Sequence, residues 1–194
     1  GWHAHPTQAL LDAYTVRSAL GRTGGLDGLR MAIVGDVKHS RVARSTIAAM
    51  RLLGVHVTVV APRTLLPPDA GDSFADAVTD RLADVIGNID VLYLLRMQQE
   101  RMNEALVPSL REYTARFGLT PQRASALPSQ VLIMHPGPMN RGDEIAVDPA
   151  ELPGAVITRQ VTNGIAVRMA VLFDLLGSGS VARVSDIITE GGSQ

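Results

Sequence analysis

The segment of residues 30–61 constrains the fold more than any other part of the chain, because it reads as strand, turn, helix and strand. Residues 31–34 form a continuous apolar run, which is typical of a parallel strand buried on both faces. After a polar turn, apolar residues recur at helical spacing up to Gly54, and residues 55–60 predict a second strand. Such a right-handed unit binds ligands beyond the carboxyl ends of its strands. The turn of residues 35–41 is therefore the first place to look for chemistry.

The rest of the chain alternates further strands and helices around this unit. We predict helices over residues 7–20, 74–86, 103–117 and 163–177, strands over residues 91–95 and 131–134, and a candidate fifth strand over residues 155–157. This alternation indicates a three-layer α/β/α domain with a mainly parallel, doubly wound sheet of four to five strands. The expected strand order is 2-1-3-4, with any fifth strand at the edge.

Composition favours one ordinary globular domain rather than a membrane or nucleic-acid-binding protein. The 194 residues are 46% hydrophobic and 19% charged, with a formal net charge of -1. No apolar run approaches the roughly 20 residues that cross a bilayer. The absence of cysteine excludes disulfides, thiolate metal sites and thiol nucleophiles. We expect a soluble cytoplasmic protein. Because the chain lacks an initiator methionine, processing or a missing upstream region must be considered.

Polar side chains follow three of the predicted strands. They are Asp36, Lys38, His39 and Arg41 after the first strand, Arg96 and Gln98 after the third, and residues 135–141 after the fourth. Because the carboxyl ends of parallel strands meet at one edge of a sheet, Arg41 and Arg96 are expected to face one ligand. Two guanidiniums suit a dicarboxylate or a phosphate. The alternative is that both arginines are solvated charges at helix caps.

Two further segments carry candidate binding groups. His5 and Gln8 lie at the start of the first predicted helix, where backbone donors and the helix dipole favour an oxyanion. A neutral imidazole and an amide would polarise and orient a carbonyl there, although His5 equally suits a plain helix cap. In the HPGP segment, Pro136 and Pro138 fix the backbone, and Gly137 lets a ligand approach closely. The alternative for HPGP is a rigid turn.

Several common catalytic patterns are missing from the sequence. The histidines lack metal-ligand spacing such as HExxH, so we expect no metal and no cofactor. The turn GDVKHS has neither the GxGxxG pattern nor the P-loop lysine, which makes a nucleotide site a weak interpretation. A GxSxG nucleophile elbow is also lacking.

Four motifs in order carry a family resemblance. HPTQALLD from His5, GDVKHSR from Gly35, LLRMQQER from Leu94 and HPGPMNRGDEI from His135 resemble aspartate carbamoyltransferase. The stretch NGIAVRMA from Asn163 is similar to the last helix of that family. The resemblance covers only the aspartate-binding half. The Ser-Thr-Arg-Thr loop of the family's carbamoyl-phosphate domain is absent, and the ARST of residues 43–46 lies in a predicted helix.

The resemblance implies a reaction and a role for each candidate residue. The α-amine of L-aspartate attacks the carbamoyl carbon of carbamoyl phosphate, giving N-carbamoyl-L-aspartate and phosphate in pyrimidine biosynthesis. It places His5 and Gln8 as catalytic residues on the carbamoyl group, Arg41, Arg96 and Gln98 on aspartate, and Pro136, Gly137 and Pro138 beside carbamoyl phosphate. It also implies a homotrimer whose missing domain binds carbamoyl phosphate, with residues 1–28 as a linking helix and loop.

Two other functions stay open at this point. An ornithine carbamoyltransferase shares HPxQ, but that family is expected to carry a cysteine in the loop matching HPGP and a Ser-Met-Gly stretch, which this chain lacks. A non-catalytic scaffold is the second alternative, although a scaffold would not need the polar residues His5, Gln8, Arg41, Arg96 and Gln98.

The resemblance also predicts how the chain behaves alone. We expect it to fold but not to turn over, with apolar residues left exposed on its first and last helices. The residues expected to be exposed are Leu10, Leu11, Val171, Leu172 and Leu175.

Overall fold

Five parallel strands form the centre of the fold in the computed structural model, which describes residues 2–68, 70–71, 74–97 and 109–177. The strands are β1 (Arg30–Val34), β2 (His56–Val60), β3 (Ala77–Thr79), β4 (Val91–Leu94) and β5 (Leu132–Met134). Their order is β3-β2-β1-β4-β5, and every neighbouring pair is parallel. The four strands predicted as 2-1-3-4 are β2, β1, β4 and β5, so the predicted order is confirmed.

Helices flank the sheet in the three-layer arrangement that the alternating pattern predicts. They are α1 (Pro6–Ala19), α2 (Arg41–Leu52), α3 (Leu110–Phe117), α4 (Pro121–Ala126) and α5 (Ile157–Leu176). Helix α1 packs against both α2 and α5. The chain therefore brings its first and last described helices together on the sheet.

The core sits on the two central strands. Residues 31–34 of β1 and all of β4 are buried, which explains why both segments lack polar alternation. Ile33 of β1 lies level with Val59 of β2 and Tyr93 of β4. Burying one such aliphatic side chain contributes about 1.5–3 kcal/mol relative to leaving it exposed.

The helix predicted for residues 74–86 is wrong. Ala77–Thr79 is the edge strand β3, and Leu82–Asp84 is a single 3-10 turn. The carboxylate of Asp76 accepts a hydrogen bond from the backbone N–H of Val57, and the backbone N–H of Asp76 donates to the Val57 carbonyl. These bonds hold the segment against β2, so tertiary pairing overrides the helical spacing of its apolar residues. The fifth strand is at an edge as expected, but it comes from this segment.

Residues 155–157 do not form the predicted fifth strand. The carbonyl of Gly154 accepts from the N–H of Ile133 in β5, and the N–H of Val156 donates to the Ile133 carbonyl. Pairing stops at one bridge, between Ile133 and Ala155, and α5 begins at Ile157 instead of residue 163. A Cβ on Gly154 would lie 1.9 Å from a backbone oxygen of residue 131, so only glycine fits this approach.

The segment between β4 and β5 differs from the single helix predicted for residues 103–117. Residues 103–108 of that prediction lie outside the described part of the chain. Helix α3 begins at Leu110, where the hydroxyl of Ser109 accepts from the N–H of Glu112. Helix α4 was not predicted, although Thr120 followed by Pro121 is a common helix start.

The last helix leaves most of its apolar surface exposed. The residues of α5 that are buried are Ile157, Gln160 and Gly164. Leu172 is 56% exposed and Leu175 is 63% exposed, as predicted. Leu10 of α1 is also exposed, but the prediction for Leu11 is wrong, because it is buried against α5 near Gly164. Within the described residues, no helix has both the length and the apolar character needed to cross a membrane.

Candidate functional site

A cleft of about 460 Å³ lies where three parallel strands end. The segments after β1, β4 and β5 all reach it, together with the start of α1 and the residues before it. Its lining side chains are Trp2, His5, Gln8, Asp36, His39, Ser40, Arg41, Val42, Leu95, Arg96, Pro136 and Gly137. The sheet therefore brings together the candidate residues from four distant parts of the sequence, as the strand pattern predicts.

The turn after β1 is held by its own side chains. The buried carboxylate of Asp36 accepts from the backbone N–H of His39 at 3.2 Å, and Nδ1 of the His39 ring lies 2.9 Å from the same oxygen. The hydroxyl of Ser40 accepts from the N–H of Ala43 at 3.0 Å and so caps α2. The positive end of α2 therefore opens into the cleft, where it favours an anion.

The two predicted arginines face the same cleft. Arg41 is the first residue of α2, and Arg96 is the second residue after the end of β4. The Nε of Arg96 is buried, and no described residue accepts a hydrogen bond from it. A buried donor without a partner costs about 1–3 kcal/mol, which a ligand carboxylate or phosphate would recover. Gln98, the third predicted aspartate ligand, lies outside the described residues.

His5 is placed to act as a neutral hydrogen-bond donor. Its backbone N–H donates to Ser45 Oγ at 2.9 Å, which ties the start of α1 to α2. Burial lowers the pKa of His5, and the positive charges of Arg41 and Arg168 lower it further. The hydroxyl of Thr7 lies 3.4 Å from Nδ1, and when it donates there, Nε2 carries the ring hydrogen. A neutral imidazole of this kind polarises a carbonyl without adding charge.

The loop after β5 is fixed by a buried histidine and glutamate. Nδ1 of His135 accepts from the N–H of Gly137 at 2.9 Å, so Nε2 donates to Oε1 of Glu144 at 3.0 Å. The same Glu144 oxygen accepts from the backbone N–H of Asn140 at 2.7 Å, and Asn140 Nδ2 donates to the carbonyl of Met97 at 2.6 Å. The loop is therefore anchored beside the segment that carries the second arginine.

The HPGP residues divide between the cleft and the surface. Pro136 and Gly137 line the cleft, and Gly137 adopts a positive φ of 67°. Pro138 is exposed and is not among the described residues that line the cleft. In the described part of the chain, histidine, aspartate and glutamate side chains form no group of three that would hold a metal ion.

Comparison with known proteins agrees with this architecture. The family model described as aspartate/ornithine carbamoyltransferase, Asp/Orn binding domain, matches residues 27–175. The chain belongs to the aspartate/ornithine carbamoyltransferase family. The aspartate carbamoyltransferase catalytic subunit of Acidothermus cellulolyticus is 53% identical over 182 residues, which are 94% of this chain and 55% of that protein. The chain thus spans about half the length of the curated relatives that it matches.

Solved structures of both branches of the family share the fold. Aspartate transcarbamoylase from Trypanosoma cruzi in complex with carbamoyl phosphate has a TM-score of 0.76 at 31% identity, covering 89% of this chain and 56% of the other. Ornithine carbamoyltransferase from Thermus thermophilus has a TM-score of 0.74 at 27% identity, covering 90% and 56%. The fold is therefore common to relatives of both names and does not by itself distinguish aspartate from ornithine as the substrate.

The carbamoyltransferase domain contains one polar centre that sequence reasoning missed. Asp12 is fully buried and accepts four hydrogen bonds from described residues. Gln8 Nε2 and Gln160 Nε2 each lie 2.9 Å from Oδ1, while Thr46 Oγ1 and the Tyr93 hydroxyl lie 3.1 Å and 2.7 Å from Oδ2. These donors come from α1, α5, α2 and β4. The available sequence signal was the four-residue spacing of Gln8 and Asp12, which puts both on one helix face.

The buried Asp12 should make the stability of the carbamoyltransferase domain depend on pH. Burial raises the pKa of Asp12 from its usual 3.8 to about 6, although the hydrogen bonds from Tyr93, Gln160, Gln8 and Thr46 oppose the rise. Between about pH 4 and pH 6 the folded state keeps a proton that the unfolded state has released. The free energy of unfolding therefore falls as pH rises through this window, by about 3 kcal/mol for a pKa difference of about 2.

Urea unfolding of wild type and Asp12→Asn between pH 4 and pH 7 measures this contribution. As pH rises, wild type should lose about 3 kcal/mol of unfolding free energy relative to Asp12→Asn, because asparagine does not titrate. The other carboxylates affect both proteins equally and cancel in the difference. A difference that stays constant with pH would contradict the prediction.

Proposed function

We propose that this chain is the aspartate-binding half of an aspartate carbamoyltransferase. The complete enzyme transfers the carbamoyl group of carbamoyl phosphate to L-aspartate in de novo pyrimidine biosynthesis. The observation that carries the proposal is the pair Arg41 and Arg96 in one cleft, with the buried Nε of Arg96 lacking an acceptor among the described residues. Two guanidiniums match the two carboxylates of aspartate, whereas the cationic side chain of ornithine has no use for the second.

The proposal gives each cleft residue a contact with a substrate. Arg41 and Arg96 hold the carboxylates of aspartate, with Gln98 on the side of the amino group. Gln8 and the neutral His5 contact the carbamoyl group. The pKa of His5, lowered by burial and by Arg41, supports this role, because a protonated ring would repel the arginines.

The loop after β5 closes the other side of the carbamoyl group. Pro136 and Gly137 from the cleft wall, and the exposed Pro138 beside them, lie at the junction with carbamoyl phosphate. The hydrogen bond from the Gly137 N–H to the buried His135 ring supports this placement, because it fixes the loop before any ligand binds.

The chemistry needs positioning and charge stabilisation but no covalent intermediate. The lone pair of the neutral α-amine forms the new C–N bond, and the C–O bond to phosphate breaks. The departing phosphate keeps the electron pair of that bond and takes the proton released by the amine. The arginines orient the nucleophile, and the ring N–H of His5 stabilises the negative charge that develops on the carbamoyl oxygen.

The missing part of the enzyme is a carbamoyl-phosphate-binding domain. Coverage of 55% of a close relative's length supports this, as do the exposed apolar side chains of α1 and α5. In this arrangement residues 1–28 link the two domains, and α5 completes the bridge. On the family resemblance we propose a cytoplasmic homotrimer for the complete enzyme.

Ligand-dependent melting tests the substrate directly. L-Aspartate is expected to raise the melting temperature of the chain, because a ligand at about 100 times its Kd stabilises a fold by about 2.7 kcal/mol. L-Ornithine at the same concentration should leave it unchanged. The Arg96→Ala chain serves as the matched control and should lose the response to aspartate. Stabilisation by ornithine alone would assign the chain to the other branch, and no response to aspartate or a bisubstrate analogue would favour a scaffold.

A further inference from the structure

Behind the cleft, one buried carboxylate accepts a hydrogen bond from the amide of one cleft residue. Gln8 lines the cleft, whereas its partner Asp12 is fully buried. The four side chains that donate to Asp12 are all neutral. A buried carboxylate without a cationic partner lowers stability at neutral pH, and such features persist where function requires them.

The hydrogen bonds leave Gln8 only one favourable orientation. An ionised carboxylate only accepts hydrogen bonds, so the amide nitrogen of Gln8 must face Asp12. The carbonyl oxygen, at the other end of the planar amide, then faces away from Asp12 and toward the cleft. Gln160 cannot replace Asp12 as the acceptor for the Gln8 amide nitrogen. Its own carbonyl oxygen already accepts from the backbone N–H of His135 at 2.9 Å.

We propose that Asp12 is a positioning residue that holds the Gln8 amide with its carbonyl oxygen in the cleft, where it accepts a hydrogen bond from the carbamoyl N–H₂. This inference rests on the proposed function. A carbamoyl group presents N–H donors beside a carbonyl acceptor, so it needs an acceptor from Gln8 and a donor from His5. A reversed Gln8 amide would place its N–H₂ against the carbamoyl N–H₂, and one pair of donors would be left unsatisfied.

Protonation of Asp12 removes this control, which makes the device sensitive to pH. A neutral carboxyl both donates and accepts, so it no longer selects one end of the Gln8 amide. The groups that face Asp12 are Gln8 on α1, Thr46 on α2, Tyr93 on β4 and Gln160 on α5. Only Tyr93 titrates among them, and burial raises its pKa well above its usual range, so it stays neutral.

Kinetics of the enzyme assembled from this chain and a carbamoyl-phosphate-binding half test the inference. In wild type, the KM for carbamoyl phosphate should rise as pH falls through about 6. Asp12→Asn should raise this KM about tenfold at pH 7.5 and lose the inflection, while the KM for aspartate changes little. An unchanged carbamoyl phosphate KM and inflection in Asp12→Asn would overturn the inference.

Tyr93→Phe separates positioning from a merely structural role. It removes the donor that lies 2.7 Å from Oδ2 of Asp12 and keeps the hydrogen bond from Gln8 to Oδ1, so the pKa of Asp12 rises and the inflection should move to higher pH. The Tyr93 hydroxyl also interacts with the Gln8 side chain, so the readout is the position of the inflection and not the size of the KM. Titration of His5 in the cleft would instead persist in Asp12→Asn and stay in place in Tyr93→Phe. An inflection that does not move in Tyr93→Phe counts against the proposal, even where Asp12→Asn fails to fold.

A readout without turnover keeps this inference separate from the proposed function. The side-chain amide resonances of Gln8, followed by ¹⁵N NMR in the 194-residue chain, should shift near pH 6 in wild type and not in Asp12→Asn. If the assembled wild-type enzyme forms no carbamoyl aspartate, the proposed function fails, and this titration still decides whether Asp12 controls Gln8. Gln8 side-chain amide resonances that do not shift as Asp12 ionises would overturn the inference.

Discussion

Replacing Arg96 by alanine is expected to weaken L-aspartate binding by about 30-fold to 5,000-fold in the assembled enzyme. The change removes one partner of a charge-assisted pair and leaves the substrate carboxylate desolvated and unpaired, at a cost of about 2–5 kcal/mol. Arg41→Ala should weaken binding in the same range where the second carboxylate is equally enclosed. The aspartate dependence of the rate, together with direct calorimetric titration, measures both effects.

Two further variants show whether the effect depends on the guanidinium. Arg96→Lys should recover only part of the binding, because an ammonium lacks the planar fork that contacts both oxygens of a carboxylate. Arg81→Ala is the matched control, since Arg81 pairs with Asp84 outside the cleft and its side chain is 70% exposed. An unchanged aspartate dependence in both alanine variants would defeat the assignment of the two arginines.

The purified 194-residue chain is expected to form no carbamoyl aspartate on its own. In the proposed function its cleft binds aspartate and the carbamoyl carbonyl, but the sequence lacks the Ser-Thr-Arg-Thr loop to which the family resemblance assigns the phosphate. Mixing with a separately made carbamoyl-phosphate-binding half should produce activity. The measurement is carbamoyl aspartate formed per unit time by each half alone and by the mixture.

The control for this experiment is the Arg96→Ala chain mixed with the same second half. It should assemble equally well, because Arg96 lies in the cleft and the exposed apolar side chains of α5 are unchanged, but it should respond weakly to aspartate. Activity of the wild-type chain alone, at a level comparable to the intact enzyme, would refute the prediction.

The location of the site could be predicted from the sequence because it depends on local signals. Each central strand is a short apolar run, and polar residues such as Arg41 and Arg96 follow where those runs end. Parallel pairing then forces the carboxyl ends together, and the cleft contains both arginines. The substrate roles of these residues remain predictions.

The features that were missed depend on contacts between distant segments. Strand β3 forms because Asp76 exchanges hydrogen bonds with the backbone of β2. The spacing of apolar residues in residues 74–86 gives no sign of this pairing. The Asp12 centre needs donors from α1, α2, β4 and α5, and Gln160 lies 148 residues away in the sequence. From the sequence alone, Asp12 is expected to be a surface residue, because aspartate is rarely buried in folded proteins.

The segment that pairs with β5 also affects how the isolated chain associates. Sheet edges with free backbone groups invite strands from other molecules, and aggregates built that way are hard to reverse. Here β3 offers only three residues, and Gly154 and Val156 already occupy the hydrogen-bonding groups of Ile133 on the outer side of β5. Contacts between copies are thereby directed to the exposed face of α5. Association through helix faces joins folded molecules, so it should reverse on dilution and be displaced by the carbamoyl-phosphate-binding domain that we propose for that face.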